Sequence, residues 1–252
     1  MTAPLVSIVT PAYDAEAYLP EAIESVLAQS YQNWEMLIVV DCKSKDRTKH
    51  IAEAARGKDP RIKIITGPEC KSVVDNRNHA IDQAQGEFIA FLDADDRWLP
   101  NKLRTQINVM LKDRLNISYH SFNVIDEKSR ACGPIRTAKY AVGYEDLLKN
   151  NCMGCLTVIV RRDFIKEKRM RDVHHEDLHF WLQLLEEGES ATPIKGVLAE
   201  YRIRQNSLTE SKLRSALWRW QLYRHLGMTR LKAAFYMLFY ALFAVNKRLH
   251  VL

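Results

Sequence analysis

The chain of 252 residues is 47% hydrophobic and 27% charged, enough for one substantial core and ordinary for a globular protein. Residues 1–9 lack the basic-then-apolar pattern of a secretory signal, and no apolar run reaches the length of a membrane-spanning helix. The net charge of +6 is uneven: from Arg202 onward ten Lys and Arg stand against one acid, Glu210, giving +9, and the first 201 residues carry −3.

A β-branched run over residues 5–10 stops at Pro11 and predicts a buried strand feeding a loop. Leu19, Ile23, Val26 and Leu27 make a helical stripe within 18–29. Strands are expected at 34–40 and 62–65, with a helix over 46–55 between them. Residues 72–85 read as helical, and Gly86 stands where a helix ends in the left-handed conformation. The apolar run 88–92 stops at Asp93-Ala94-Asp95-Asp96, and 100–112 is the next helix, with Pro100 in its first turn. Strand and helix alternating in this way predict an α/β fold of parallel βαβ units, helices covering both faces of one mostly parallel, Rossmann-like sheet. Beyond residue 116 the rhythm loosens, with short strands at 117–122, 157–160 and 197–201 and helices at 144–149 and 176–187. Two further helices, 213–226 and 230–245, form the basic tail.

In such sheets ligands bind at the carboxyl ends of the strands. That rule gives four addresses: 11–14, Asp41, the stretch after the third strand, and 93–96. Acids occupy three of them. Asp93 and Asp95 alternate at the tip of a buried strand, a spacing at which two carboxylates can share a hard divalent cation. Magnesium or manganese would complete its shell with phosphate oxygens and water, and would neutralise charge growing on a departing diphosphate. Solvated turns and helix caps use the same residues, but the apolar strand directly before them favours a site. Hydrolases with an aspartyl nucleophile also use Asp-x-Asp after a strand, but they place it on the first strand, and here it follows the fourth.

Four motifs in order, at residues 6–19, at Val40-Asp41, at 91–96 and at His175-Glu176-Asp177, resemble family 2 glycosyltransferases of the GT-A fold. Residues 31–35 and 198–207 are similar to the teichuronic-acid and related surface-polysaccharide branch. The resemblance implies a catalytic domain over 1–211, with a nucleotide-sugar half at 1–115 and an acceptor half at 116–211, followed by the tail at 212–252. It also implies an inverting, metal-dependent transfer from a UDP-sugar, with Mn2+ or Mg2+, to a saccharide or lipid-linked acceptor. Position by position, Thr10, Pro11 and Tyr13 match a loop that packs on uridine and ribose, and Glu16 matches an acid near the nucleoside. Asp41 matches the acceptor of the uracil imide hydrogen bond, and Arg77 with Asn78 a pair facing the donor. Asp93 and Asp95 match the metal and diphosphate motif, and Asp177 the catalytic base, with Glu176 its neighbour. Both acids open a helix, whose first turn favours the ionised form a base needs.

Three departures stand out. Asp14 replaces the usual Asn, residues 42–46 replace an acid-rich loop, and Arg204 stands where many relatives carry His. As a fixed cation Arg204 would contact the diphosphate directly. The Gln-x-x-Arg-Trp signature of processive synthases is absent, which implies single transfers. The alternative from another class is a nucleotide-sugar-binding protein without turnover, its 42–45 loop altered too far.

The five cysteines, Cys42, Cys70, Cys132, Cys152 and Cys155, read as reduced thiols of a cytoplasmic protein. Cys152 and Cys155 have half a zinc site's spacing without a second pair, and are expected as small buried residues beside the acceptor cleft. His174 and His175 are expected at the acceptor site or the surface, and Trp98 against a sugar face. In the tail, Leu213, Leu217 and Trp220 share one helical face, and Leu231, Ala234, Phe235, Leu238, Leu242 and Val245 share another. Basic amphipathic helices of this kind lie on an anionic membrane surface, here the inner face of the cell membrane, or else pack on the body or on a second subunit in a homodimer. No nucleic-acid-binding module accompanies the charge, so nucleic acid is not an expected partner.

Overall fold

In the computed structural model, which describes residues 3–65, 72–204 and 212–249, the first strand β1 (Val6–Ala12) is buried along its whole length. Its neighbour β2 (Trp34–Val40) is almost as dry. Val6 and Ile8 join Met36 and Ile38 in one core, while Val9 joins Leu37 and Val39 in the other. A strand that feeds a core on each face carries no polar alternation, which is why these segments read as unbroken apolar runs.

The chain continues through α1 (Leu19–Leu27), α2 (Thr48–Lys58), β3 (Ile62–Ile65), α3 (Val73–Gln83), β4 (Phe88–Phe91), β5 (Arg97–Trp98) and α4 (Lys102–Lys112). Then come β6 (Ile117–Ile125), α5 (Tyr144–Lys149), β7 (Ile159–Arg161), α6 (Arg162–Ile165), α7 (Glu176–Leu185), β8 (Thr192–Arg202), α8 (Lys212–His225) and α9 (Arg230–Leu249). All eight strands share one sheet, ordered β3-β2-β1-β4-β7-β6-β8-β5. β3, β2, β1 and β4 are parallel; β7 runs against both β4 and β6, β8 is parallel to β6, and β5 runs against β8. The expected α/β sheet is therefore present, parallel in its first half and mixed in its second. Helices α1, α2 and α4 cover one face, and α3, α5, α7, α8 and α9 the other.

From β1 the chain builds outward to β2 and β3, then returns through α3 to β4 on the other side of β1. Such a reversal of strand order is the usual position of a ligand crevice in these sheets. The tail is docked: Arg219 Nη2 donates to the carbonyl of Leu147 at 3.2 Å, Tyr223 bonds the carbonyl of Leu148, and Tyr236 bonds Glu145. No described helix is long and apolar enough to cross a membrane.

Three expectations are corrected. Gly86 does not cap α3, which ends at Gln83 with Ala84 extended. Its role is close approach, since a Cβ there would stand 2.6 Å from the Ser7 amide nitrogen and 2.7 Å from the Leu5 carbonyl oxygen. Trp98 meets no sugar site: β8 pairing turns it inward, where its indole N–H bonds the carbonyl of Leu156 at 2.9 Å and the Lys102 amine sits over its ring. Not all the thiols are reduced, for Cys42, on the exposed turn after β2, carries a disulfide. Cys132, Cys152 and Cys155 are free.

Gly86→Ala forces backbone apart where two strands meet, so it should destabilise the protein by about 1–3 kcal/mol, as overpacking does. Urea unfolding should show a lower midpoint at unchanged slope; a midpoint equal to the parent's would refute the close-approach role.

Candidate active site

The acidic turn begins where β4 runs out. The Leu92 N–H makes the strand's last bond to β1, at 3.0 Å from the Val9 carbonyl, and the Asp96 N–H closes a turn onto the carbonyl of Asp93. Asp96 points inward, buried, and accepts the Arg202 N–H at 2.8 Å. Burial, then Asp95 and Asp93, hold its carboxyl well above the ordinary range. The buried Arg202 side chain clamps the turn from β8, donating to the Asp95 carbonyl and to Glu21, each at 2.8 Å. Asp93 and Asp95 are left facing outward, with side chains 28% and 25% exposed.

Burial, then repulsion from Asp93, raises the Asp95 carboxyl, against the pull of Arg204, whose Nε lies 2.9 Å from Asp95 Oδ2. Arg204 thus meets the acidic turn itself. Two hard oxygen donors at odds with one another fit magnesium or manganese, which take one or two protein carboxylates. Among the described residues no third acid, His or Cys completes a cluster. The remaining positions would fall to substrate oxygens and water.

Two consecutive residues of α3 join this turn to the rest of the site. Asn76 donates to Asp41 Oδ2 at 3.2 Å, beyond the tip of β2. Arg77 is buried and forks, its Nη2 2.6 Å from Asp93 and its Nη1 2.7 Å from Glu176 on α7. Asn78, expected to face the donor, exchanges both amide groups with the backbone of Met170 instead. A capping box between Ser72 and Asp75 starts α3 just before this pair and fixes its register.

At the tips of β1 and β2 lie the residues matched to the nucleoside. Thr10 is fully buried and its hydroxyl finds no partner, while Tyr13 is half exposed and its phenol pKa is raised by Asp14. Asp41 also accepts the Lys43 N–H at 2.8 Å. Asp14 has φ 41°, a left-handed conformation that Asn and Asp both tolerate, so this departure keeps the loop shape. Glu16 faces the α2 loop, where its carboxylate accepts the Arg47 N–H at 2.9 Å and its own N–H bonds Asp46. The altered 42–46 loop thus still straps the first loop in place.

Glu176 and Asp177 open α7 after His175, whose φ of 63° is left-handed and strained for a histidine. Asp177 accepts the N–H of Leu178 at 2.7 Å. Burial, then Glu176, raise its carboxyl to about 6. A cleft of about 1020 Å³ has Arg77, Asp93, Glu176 and Asp177 in its wall. His174, His175, Cys152 and Cys155 also line it, and His174 stacks on Trp218 at 4.1 Å. Asp41 lies outside the cleft and is joined to it through Asn76, next to Arg77; Thr10, Pro11, Tyr13, Glu16, Asp95 and Arg204 are not in its wall either. Sequence reasoning missed Asn76, Arg202 and Tyr201. Tyr201 lines the cleft, and burial, then the cluster of Asp96, Asp95, Asp93 and Asp177, raises its hydroxyl pKa.

A βαβ sheet with a clamped Asp-x-Asp turn in the wall of a cleft that also holds Asp177 is the architecture of the GT-A fold. The chain belongs to glycosyltransferase family 2, whose profile matches residues 7–187. It is 36% identical over 248 residues to TuaG of Bacillus subtilis (strain 168), named for teichuronic acid biosynthesis, covering 98% of each chain. It is 35% identical, over 96% of this chain and 94% of the relative, to WfgD of Escherichia coli, a UDP-Glc:alpha-D-GlcNAc-diphosphoundecaprenol beta-1,3-glucosyltransferase. The structure of S. aureus TarS 1-349 in complex with UDP-GlcNAc shares the fold, with TM-score 0.72 and 20% identity over 87% of this chain and 64% of that one.

Arg77→Lys keeps a charge but cannot reach Asp93 and Glu176 together. Urea unfolding should show a loss on the order of 2 kcal/mol, less than the ~3–5 of a fully buried pair because both carboxylates keep part of their surface in water. Parent-like stability would show that the fork ties nothing together.

Proposed function

We propose that this glycosyltransferase moves one sugar, with inversion, from a UDP-sugar to a hydroxyl of a saccharide or lipid-linked acceptor in surface-polysaccharide synthesis. The observation that carries it is the Arg77 fork, which joins Asp93 of the Asp-x-Asp turn to Glu176, beside Asp177, in the wall of one cleft. Asp41 accepts from the uracil imide, with the exposed Tyr13 against the nucleoside and the buried Thr10 and Pro11 supporting that loop from behind. Asp93 and Asp95 hold Mn2+ or Mg2+, which when bound neutralises charge on the diphosphate. A Pyrobaculum calidifontis mannosyltransferase of the same fold, 16% identical with TM-score 0.69, is described with GDP-Man and Mn2+.

The acceptor oxygen bonds the anomeric carbon as the bond from that carbon to the diphosphate breaks, and its proton passes to Asp177. One displacement inverts the anomeric configuration. Glu176 is a positioning residue: paired with Arg77, it keeps a negative charge beside Asp177 and so keeps that carboxyl basic. For a lipid-linked acceptor, Arg136 and Lys139 line the same cleft, cations suited to a phosphate.

UDP-sugars should be hydrolysed slowly and only with manganese or magnesium, and Asp95→Ala should weaken UDP binding in manganese by about tenfold or more. UDP bound without any turnover would instead favour a nucleotide-sugar-binding protein.

The raised carboxyl of Asp177 sets a pH test. Its folded pKa of about 6 lies above the ordinary 3.8, so the folded chain holds that proton more tightly and loses stability as pH rises between the two. Asp177→Asn should therefore melt no lower than the parent at pH above 6, while transfer falls about 10²–10⁴-fold. The parent's transfer rate should fall on the acid side near pH 6, and a rate flat through that range would exclude Asp177 as base.

A further inference from the structure

The docked tail leaves its most apolar stripe in water. On α9, Ala233 and Tyr236 turn inward to the body, while Leu231, Phe235, Leu238 and Leu242 are each more than half exposed. Their spacing of four, three and four residues puts them on one helical face about 16 Å long. On α8, Leu213 and Leu217 are 81% and 63% exposed. The packing of this stripe on the body, one of the alternatives the sequence allowed, is thus not what the described residues do.

A stable core does not need these side chains, and a contiguous apolar stripe facing solvent marks a surface with a partner. Charge decides between partners. Arg230 and Lys232 are exposed beside the stripe, and residues 212–252 hold eight Lys and Arg and no acid. A second copy placed stripe to stripe would bring two such tails together, which electrostatics opposes. Anionic headgroups would neutralise them while the leucines and Phe235 enter the acyl boundary.

We propose that the exposed face of α8 and α9 seats the protein on an anionic lipid bilayer, lying in the interface without crossing it. The seat is continuous with the cleft, because Trp218 of α8 and Phe243 of α9 are in the cleft wall that also holds Asp177. Seated this way, the acceptor end of the cleft opens at the bilayer surface, where a lipid diphosphate carries its sugar. That last step rests on the transfer reading above; the seat itself does not.

Flotation of the full chain with vesicles tests the seat. The chain should float with phosphatidylcholine mixed with phosphatidylglycerol, stay behind with phosphatidylcholine alone, and be released by high salt, which screens exposed charge. The double variant Leu238→Glu, Leu242→Glu should lose about tenfold or more in partitioning, the scale of losing one or two buried apolar side chains, while donor hydrolysis is unchanged. Equal flotation of variant and parent overturns the proposal. So does equal flotation on neutral and anionic vesicles, or a dimer in sedimentation that the same variant dissociates, which would give the stripe to a second copy. Flotation without donor hydrolysis would leave the seat standing and overturn the transfer reading instead.

Discussion

A charge placed out of water must find counter-charges, and the guanidinium of Arg77 finds them on two different elements. One is Asp93 at the tip of β4, the other Glu176 at the start of α7. The separation between the Asp-x-Asp turn and the start of α7 is therefore set by one rigid planar fork. Asn76, one residue earlier, extends the same register to Asp41. Two neighbouring positions of one capped helix thus index three parts of the site against one another.

Around that fork the protein keeps like charges close. Asp93, Asp95 and Asp96 would push the turn open were it not clamped by Arg202, whose side chain reaches Asp95 and Glu21 and whose N–H is taken by Asp96. The left-handed His175 and the raised carboxyl of Asp177 are further stresses on the folded state. Local strain and repulsion concentrated at one site are the usual trade of stability for function. The Ser7–Glu35–Lys63 network at the opposite ends of the strands has its polar groups matched and reads as structural.

The parallel half of the fold was legible because its strands are buried on both faces and its helices carry plain stripes. The four strand-tip addresses followed from topology, and Asp41, Asp93 and Asp95 do stand at strand tips. What could not be read was pairing across distance. Nothing in the local pattern distinguishes Asn76 from Asn78, where helix phase decides which reaches the site, or shows that Arg202 clamps the acidic turn from inside while Arg204 pairs with the Asp95 side chain. Gly86 looked like a helix end because a glycine needed for close approach resembles one needed for a left-handed turn. Trp98 looked like a sugar platform because it follows the acids, yet the β5–β8 pairing turned it into the core. The tail's stripes were visible, but whether they faced the body or water depended on which side α5 would grip.

The most direct test is a crystal structure of the chain with UDP and Mn2+. The account requires the cation on Asp93 or Asp95 at about 2.1–2.2 Å, the uracil at Asp41, and Asp177 across the cleft from the diphosphate, with Arg77 still joining Asp93 to Glu176. Uridine bound away from Asp41, or Asp177 on the same side as the diphosphate, would contradict it.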